Sequence, residues 1–295
     1  MTEPQPDTAE RPRRRRNPIV TVLAFAFIVF IVICCVLAVV VRTQGSSDGP
    51  ARTTAPSVTG AEPSGPGITS DDPAFRGFAT PTTDRFGRRV DIPKWPGGWA
   101  LPQQPRTSEG TWAADIPTPA PAGIIWEKVN DGAIVAFSTS DGPRRVAAGQ
   151  AFGFAHTPQG AALAGWQITM RLGAANNDLA RTIYDTQTVM TDAQRREVYA
   201  QLTAEGPWYR DMADAELSYL TQADAFRITS YAPDFAVVEY ATRAPDSSTD
   251  NAQQWTTSRV ELLWDDDGED WKLQFPSTDQ DPTGHTATLQ GWTTW

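Results

Sequence analysis

The chain has 295 residues, with 35 acidic and 25 basic side chains and a formal net charge of −10 at pH 7. Residues 1–41 carry five arginines against three carboxylates, a balance of +2, so residues 42–295 carry −12. A surface of that sign repels phosphate backbones, which argues against direct nucleic-acid binding by residues 42–295. Both cysteines, Cys34 and Cys35, lie in the first 41 residues, so the remainder has no thiol for a disulfide or a metal site.

A basic cluster at residues 11–16 is followed at once by Ile19–Val41, a run of 23 residues without charge or proline. As a helix this run would extend about 35 Å, enough to cross a hydrocarbon core of roughly 30 Å. It is longer than the apolar core of a cleaved signal peptide and has no small-residue cleavage pattern at its end. The sequence therefore predicts a transmembrane helix that keeps the protein in the membrane. The positive-inside rule predicts a cytoplasmic tail at residues 1–18 and an extracytoplasmic remainder.

Two segments poor in regular structure are predicted next. From Thr43 to Asp72, 19 of 30 residues are Gly, Pro, Ser or Thr, a composition that cannot bury enough apolar surface to become ordered. We therefore predict a disordered linker over residues 42–83. Residues 84–122 remain proline-rich but gain aromatic side chains, and this favours an extended arm that lies on the following domain or on a partner.

The predicted compact domain covers residues 123–276. Ile124–Val129 and Ala133–Ser138 flank an Asn-Asp-Gly sequence suited to a tight hairpin. Thr157 is a good N-cap and Pro158 suits the first helical position, which predicts a helix through about Leu172. Apolar residues on two faces of this helix indicate that it is buried between two layers.

A second helix is predicted from Thr191, where the sequence Thr-Asp-Ala-Gln is a capping-box signature, to about Leu202. The last third is rich in β-branched and aromatic residues and predicts four strands. Helices followed by antiparallel strands indicate an α+β fold with helices packed on one curved antiparallel sheet. The polar tail, residues 277–295, contains Trp292 and Trp295, which either dock on the domain or face a partner. The four predicted strands are Phe226–Tyr231, Phe235–Arg243, Trp255–Trp264 and Trp271–Phe275.

The sequence contains no recognisable catalytic, metal or cofactor motif. Its two histidines, His156 and His285, lie about 130 residues apart and have no zinc-ligand spacing. The acidic loop 265–270 fails the EF-hand register and is predicted to be a solvated hairpin turn. His156 precedes a helix N-cap, which favours a hydrogen-bonded structural histidine. We therefore predict no catalytic residue, no cofactor and no metal, and hence a protein that is not an enzyme.

Aromatic side chains are the candidate binding residues. A curved sheet crossed by helices forms a concavity that aromatic rings can line, although rings at such positions more often belong to a plain core. This leaves a lipid or small hydrophobic ligand as an alternative function. The candidates for a pocket or a partner surface are Trp166, Tyr184, Trp208, Tyr209, Tyr219, Trp292 and Trp295.

Two stretches carry a family resemblance. Asp84–Lys94, continued by Leu101–Gln103, and the segment from Val135 to Gly160 resemble actinobacterial single-pass membrane proteins that accompany conjugative elements. The order of tail, anchor, linker and domain is similar to inner-membrane scaffold subunits of type IV secretion and conjugation machines. That resemblance implies a nuclear-transport-factor-like cone and partners within an envelope complex, or further copies of the chain. It supplies no catalytic residue.

These observations lead to one expected function. We expect a structural or assembly component of a conjugative-transfer or secretion-type envelope complex, because a scaffold needs only an anchor, reach and a contact surface. A lipid-binding accessory protein is the alternative. A cell-wall hydrolase is a third possibility, which the missing catalytic motif disfavours.

Overall fold

The computed structural model describes residues 77–104, 112–114, 116–130, 132–204, 221–244, 253–276 and 282–295. These residues contain three helices and thirteen strands. The strands are β1 (Thr82–Thr83), β2 (Arg89–Val90), β3 (Ile125–Val129), β4 (Ala133–Phe137), β5 (Arg145–Ala147), β6 (Gln150–Phe152), β7 (Thr188–Val189), β8 (Ala225–Ala232), β9 (Phe235–Arg243), β10 (Trp255–Asp265), β11 (Asp270–Gln274), β12 (Thr283–Thr286) and β13 (Thr293–Thr294). The helices are α1 (Pro158–Ala174), α2 (Asn177–Thr186) and α3 (Asp192–Ala204).

The largest sheet has seven strands, in the order β13-β8-β9-β10-β11-β7, with β12 paired to the first half of β10. Its pairings are antiparallel except for β7, which runs parallel to β11. The long strands β9 and β10 pair over nine residues and form the centre of the sheet. Three two-stranded sheets, β1-β2, β3-β4 and β5-β6, complete the strand pairings of the described residues.

Helix α1 lies in the interior of the domain. The Thr157 side chain accepts a hydrogen bond from the backbone N–H of Gly160, and Pro158 stands at the start of the helix, as predicted. The helix packs on the β3-β4 hairpin on one side and on the seven-stranded sheet on the other. The predicted helix between two layers is therefore confirmed.

Several other local predictions are also confirmed. The Thr191 capping box forms, since the Gln194 side chain accepts from the Thr191 N–H at 2.8 Å and the Gln194 N–H donates to Thr191 Oγ1 at 3.2 Å. Strands β8 to β11 match the four predicted strands to within one residue at each end. The acidic loop joins β10 to β11 as a hairpin, with Asp265 opposite Asp270.

The predicted fold class is wrong. We expected one transmembrane helix and a cone of helices on a single curved antiparallel sheet. The described residues instead form a strand-rich domain around a mixed seven-stranded sheet. The physical reason lies in β4, whose five residues are all buried, so both of its faces are covered and α1 gains a second β layer.

The predicted transmembrane helix, Ile19–Val41, lies outside the described residues. Within the described part of the chain, no helix combines the length and the apolar character needed to cross a membrane.

The arm folds onto its own domain. Arg88 joins three parts of the chain, because its guanidinium donates to Asp84 Oδ2 at 2.8 Å, to Asp224 Oδ1 at 3.1 Å and to the Gln222 carbonyl at 2.7 Å. Asp91 then bonds through its backbone to both neighbours of Glu127 in β3. Strand β1 also lies within the segment that composition assigned to the disordered linker, so that prediction is wrong for residues 82–83.

Candidate interaction surface

Three chain segments meet at one end of the seven-stranded sheet. The β8-β9 turn contains Pro233 and Asp234, and the Trp264 N–H at the end of β10 donates to the Asp234 carbonyl at 3.0 Å. His156, just before α1, bonds through Nε2 to the Pro233 carbonyl. The Tyr231 hydroxyl donates to the His156 carbonyl at 3.3 Å. Hydrogen bonds therefore fix the relative positions of all three segments.

The side chains of these segments form a connected group of rings. The His156 imidazole stacks on the Trp264 indole with ring centroids 3.8 Å apart and an angle of 3° between the planes. Trp271 meets Trp264 at 5.2 Å and 72° and contacts Tyr231 at 6.1 Å. Trp112 extends the group through Tyr231, at 6.3 Å. We call these five residues, His156, Trp264, Trp271, Tyr231 and Trp112, the aromatic end.

Exposure increases outward across the aromatic end. Trp271 is buried, at 1% exposure, and its indole N–H donates to the Ala155 carbonyl at 2.9 Å. Trp264, Tyr231 and Trp112 are half-buried, and His156 is exposed. A rigid ring at the base thus supports partly exposed rings above it, an arrangement that presents apolar area to a binding partner.

Exposed acidic residues lie on the two turns next to the aromatic end. Asp234 is exposed on the β8-β9 turn, and Asp266, Asp267 and Glu269 are exposed on the β10-β11 turn. Asp265 differs from them because it forms an ion pair with Lys272 at 2.7 Å, and the hydrogen bond from Lys272 lowers the pKa of its carboxyl. Among the described residues there is no group of three or more side chains that could hold a metal ion.

Asp270 fastens the loop that carries His156 to the sheet. Its buried carboxylate accepts from the backbone N–H groups of Gly153 at 2.8 Å, Phe154 at 3.2 Å and Trp271 at 3.0 Å. Burial raises the pKa of Asp270 to about 6, and these three donors oppose the rise by favouring the charged form.

Replacing Asp270 with asparagine is expected to remove a pH-dependent loss of stability. The pKa of the carboxyl rises from 3.8 to about 6 on folding, so the folded state binds more protons and the free energy of unfolding falls as pH rises through this range. The loss approaches about 3 kcal/mol, since a tenfold change in proton affinity corresponds to about 1.4 kcal/mol. Urea unfolding of both proteins from about pH 4 to 7 measures the difference, and parallel stability curves would contradict the prediction.

A second polar cluster lies beneath the arm. Arg171 of α1 is fully buried, and its guanidinium donates to the Gln167 side chain at 2.8 Å and to the Gly149 carbonyl at 2.7 Å. Glu127 of β3 is also fully buried and accepts from the Trp99 N–H of the arm at 2.7 Å. Burial raises the pKa of Glu127 well above its ordinary value and lowers that of Arg171 to about 9, and the attraction between the two opposes both shifts. This cluster joins the arm, β3 and α1.

A third polar cluster ties β4 to the start of α1. The Asp141 carboxylate accepts hydrogen bonds from the hydroxyls of Thr157, at 3.0 Å, and Ser140. All three side chains are buried. The carboxylate therefore holds the helix cap in place from inside the domain.

Two of the aromatic residues proposed from sequence, Trp166 and Tyr184, lie in separate parts of the core. Trp166 is buried, donates its indole N–H to the Ile134 carbonyl at 3.0 Å and packs on Tyr240. Tyr184 is buried next to Phe275, on a different part of the domain. Trp208, Tyr209 and Tyr219 lie outside the described residues.

The two tail tryptophans dock on the domain. Trp292 is 8% exposed and packs with Ala225 and Ala241, while the guanidinium of Arg227 lies 4.5 Å from its ring. Trp295 packs 4.6 Å from Phe226 and meets Trp126 edge to face at 5.6 Å. Of the two alternatives predicted for Trp292 and Trp295, the structure shows that both rings pack against the domain.

Sequence reasoning overlooked most of the aromatic end. The pattern around Trp264 and Trp271 predicts strands, and the position of His156 predicts a structural histidine. His156 is hydrogen-bonded, as expected, but it is also exposed and stacked. One signal was available, since a tryptophan stands at each end of a short acidic turn and turn-flanking aromatics in a hairpin lie close together.

Comparison with known proteins gives a family but no function. No curated protein and no solved structure is detectably similar to the chain. Residues 91–294 match the model of a family described as Domain of unknown function (DUF8175). That range covers about two thirds of the chain, from near the start of the arm to the last strand, and includes all five residues of the aromatic end. The chain belongs to this family of domains of unknown function.

Proposed function

We propose that the chain is a non-catalytic structural or assembly component of an envelope complex of the conjugative-transfer or secretion type. In this proposal the aromatic end is the surface that binds a partner protein. The observation that carries it is the stack of His156 on Trp264, which stands partly exposed above the buried Trp271. The proposed location of the protein at the cell envelope rests on its sequence, in which a basic cluster at residues 11–16 precedes the apolar run Ile19–Val41.

The chemistry of the aromatic end suits protein binding. Tryptophan and tyrosine are enriched at interfaces because they bury a large area while losing little conformational entropy. Here the rings are already held, since Trp271 is hydrogen-bonded and Asp270 fastens the neighbouring loop. A surface that is ordered before binding loses less entropy when a partner docks.

The other polar clusters support an architectural role. Asp270, Asp141 and Arg171 each form several hydrogen bonds inside the domain. Their bonds connect elements that are distant in sequence, and so stabilise the arrangement that presents the aromatic end.

Replacing Trp264 with alanine is expected to weaken partner binding at least tenfold. Truncating a central interface aromatic costs about 2 kcal/mol or more. Native electrophoresis of gently solubilised cell membranes should show the wild-type chain in a complex and the variant mostly released from it. Phe78→Ala is the matched control, because Phe78 is 36% exposed and lies before β1, outside the aromatic end.

A thermal unfolding curve must accompany this comparison, because Trp264 is half-buried. His156→Ala is the second variant, since this side chain is exposed and its loss removes the outer ring of the stack and the hydrogen bond to the Pro233 carbonyl. A folded Trp264→Ala or His156→Ala protein that stays fully in the complex would contradict the proposed function.

A further inference from the structure

We propose that the aromatic end binds a positively charged peptide segment of its partner protein. This inference rests on the proposed function and adds the chemical class of the partner. It starts from four exposed acidic residues on the two turns that adjoin the aromatic end, Asp234, Asp266, Asp267 and Glu269.

The sheet places these carboxylates on two neighbouring turns. Strands β9 and β10 are paired, with Phe235 opposite Leu263, so the β8-β9 turn lies beside the end of β10. Asp234 bonds through its carbonyl to the backbone of Trp264. Asp266, Asp267 and Glu269 follow Trp264 in the next turn. A segment that lies across the aromatic end would therefore meet negative charge on both turns.

The basic side chains near this end only partly offset that charge. Lys272 is already paired with Asp265. Arg145 lies over the Phe152 ring at 4.4 Å and contributes a positive potential at Asp270. Arg144 is exposed on the same hairpin, and the base of its side chain faces Gly153. The four exposed carboxylates outnumber these two arginines, so the surface around the aromatic end carries a net negative charge.

The negative charge next to the aromatic end and its partly exposed rings both favour the binding of a positively charged group. Guanidinium and ammonium groups are attracted to the faces of aromatic rings. Arginine also forms paired hydrogen bonds with carboxylates. The charge of −12 over residues 42–295 attracts a basic segment at long range and repels anionic lipid and nucleic acid.

Peptide titrations against the full-length chain test this inference. The probes are synthetic ten-residue peptides with four arginines, four lysines or four glutamates on the same Gly-Ser background, and tryptophan fluorescence reports binding. We expect the arginine peptide to bind, the glutamate peptide not to bind, and the affinity to fall as salt is raised.

The triple variant D234N/D266N/D267N should bind the arginine peptide about tenfold more weakly, because it removes three exposed charges that attract the peptide and each exposed ion pair contributes only modestly. The control D178N/D192N/E197Q removes the same charge from exposed positions on α2 and α3 and should bind like the wild type. Equal weakening in both variants, or equal binding of the arginine and glutamate peptides, would overturn the inference.

The outcome separates this inference from the proposed function. If Trp264→Ala releases the chain from the cellular complex while D234N/D266N/D267N does not, the aromatic end is the partner-binding surface. The inference that the partner segment is positively charged is then refuted. If neither variant releases the complex, the proposed function itself fails.

Discussion

Replacing Arg171 with methionine is expected to lower the free energy of unfolding by about 3–5 kcal/mol, because it removes a fully buried charge that is hydrogen-bonded inside the domain and attracted to Glu127. Methionine keeps much of the apolar stem but loses the hydrogen bonds to Gln167 and Gly149. It also removes the positive charge that opposes the rise in the pKa of Glu127. Urea unfolding followed by tryptophan fluorescence measures the change.

The double variant R171M/E127Q is the control for this prediction. Because the two groups attract each other inside the domain, the combined loss should be smaller than the sum of the two single losses by more than about 0.5 kcal/mol. Additive losses would show that Arg171 and Glu127 act independently, and this would refute the coupled cluster that joins the arm to α1.

Two glycines of α1 are expected to respond to alanine in opposite ways. A Cβ at Gly165 would lie 2.5 Å from the Tyr240 hydroxyl and 3.0 Å from a Val260 methyl. The Tyr240 hydroxyl is held by the Ala162 carbonyl at 2.7 Å and cannot move away without losing that bond. We expect Gly165→Ala to destabilise the domain by about 1–3 kcal/mol through overpacking.

Gly173 is the matched control in the same helix. A Cβ there would have no neighbour within 4 Å, so Gly173→Ala should gain up to about 1 kcal/mol from helix propensity. Thermal unfolding of the two variants should place their midpoints on opposite sides of the wild type. A Gly165→Ala protein as stable as Gly173→Ala would contradict the close packing of α1 on the sheet.

Local patterns in the sequence predicted much of the secondary structure. Helix α1 was found from its Thr157 cap and α3 from its capping box, because both signals act within four residues. Strands β8 to β11 were found because they are rich in β-branched and aromatic residues, several of which alternate with polar ones. These features depend on neighbours in the chain, which a sequence displays directly.

Other elements were missed because their stability comes from distant contacts. Strand β7 has two residues, Thr188 and Val189, and exists through its parallel pairing with β11. The β5-β6 hairpin is fastened to β11 by Asp270, more than 100 residues away. Such short segments have only a weak intrinsic tendency to form strands, so contacts with distant parts of the chain determine whether they form.

The candidate surface was harder to predict than the fold. His156 and Trp264 are stacked although 108 residues separate them, and their contact requires the β8-β9 turn to lie between α1 and β10. Trp166, the more obvious candidate in sequence, became a core residue because α1 is covered on both sides. Composition identifies aromatic residues, but only the strand register decides which of them reach the surface.

Site-specific photocrosslinking in living cells tests the central claim, that the aromatic end contacts a partner protein. A photoreactive amino acid would replace Asp266, which is exposed beside Trp264, and in a matched strain Asp192, which is exposed on α3. We predict a discrete protein adduct from position 266 and none of the same mass from position 192. The same adducts from both positions, or no adduct from position 266 in a folded protein, would contradict the account.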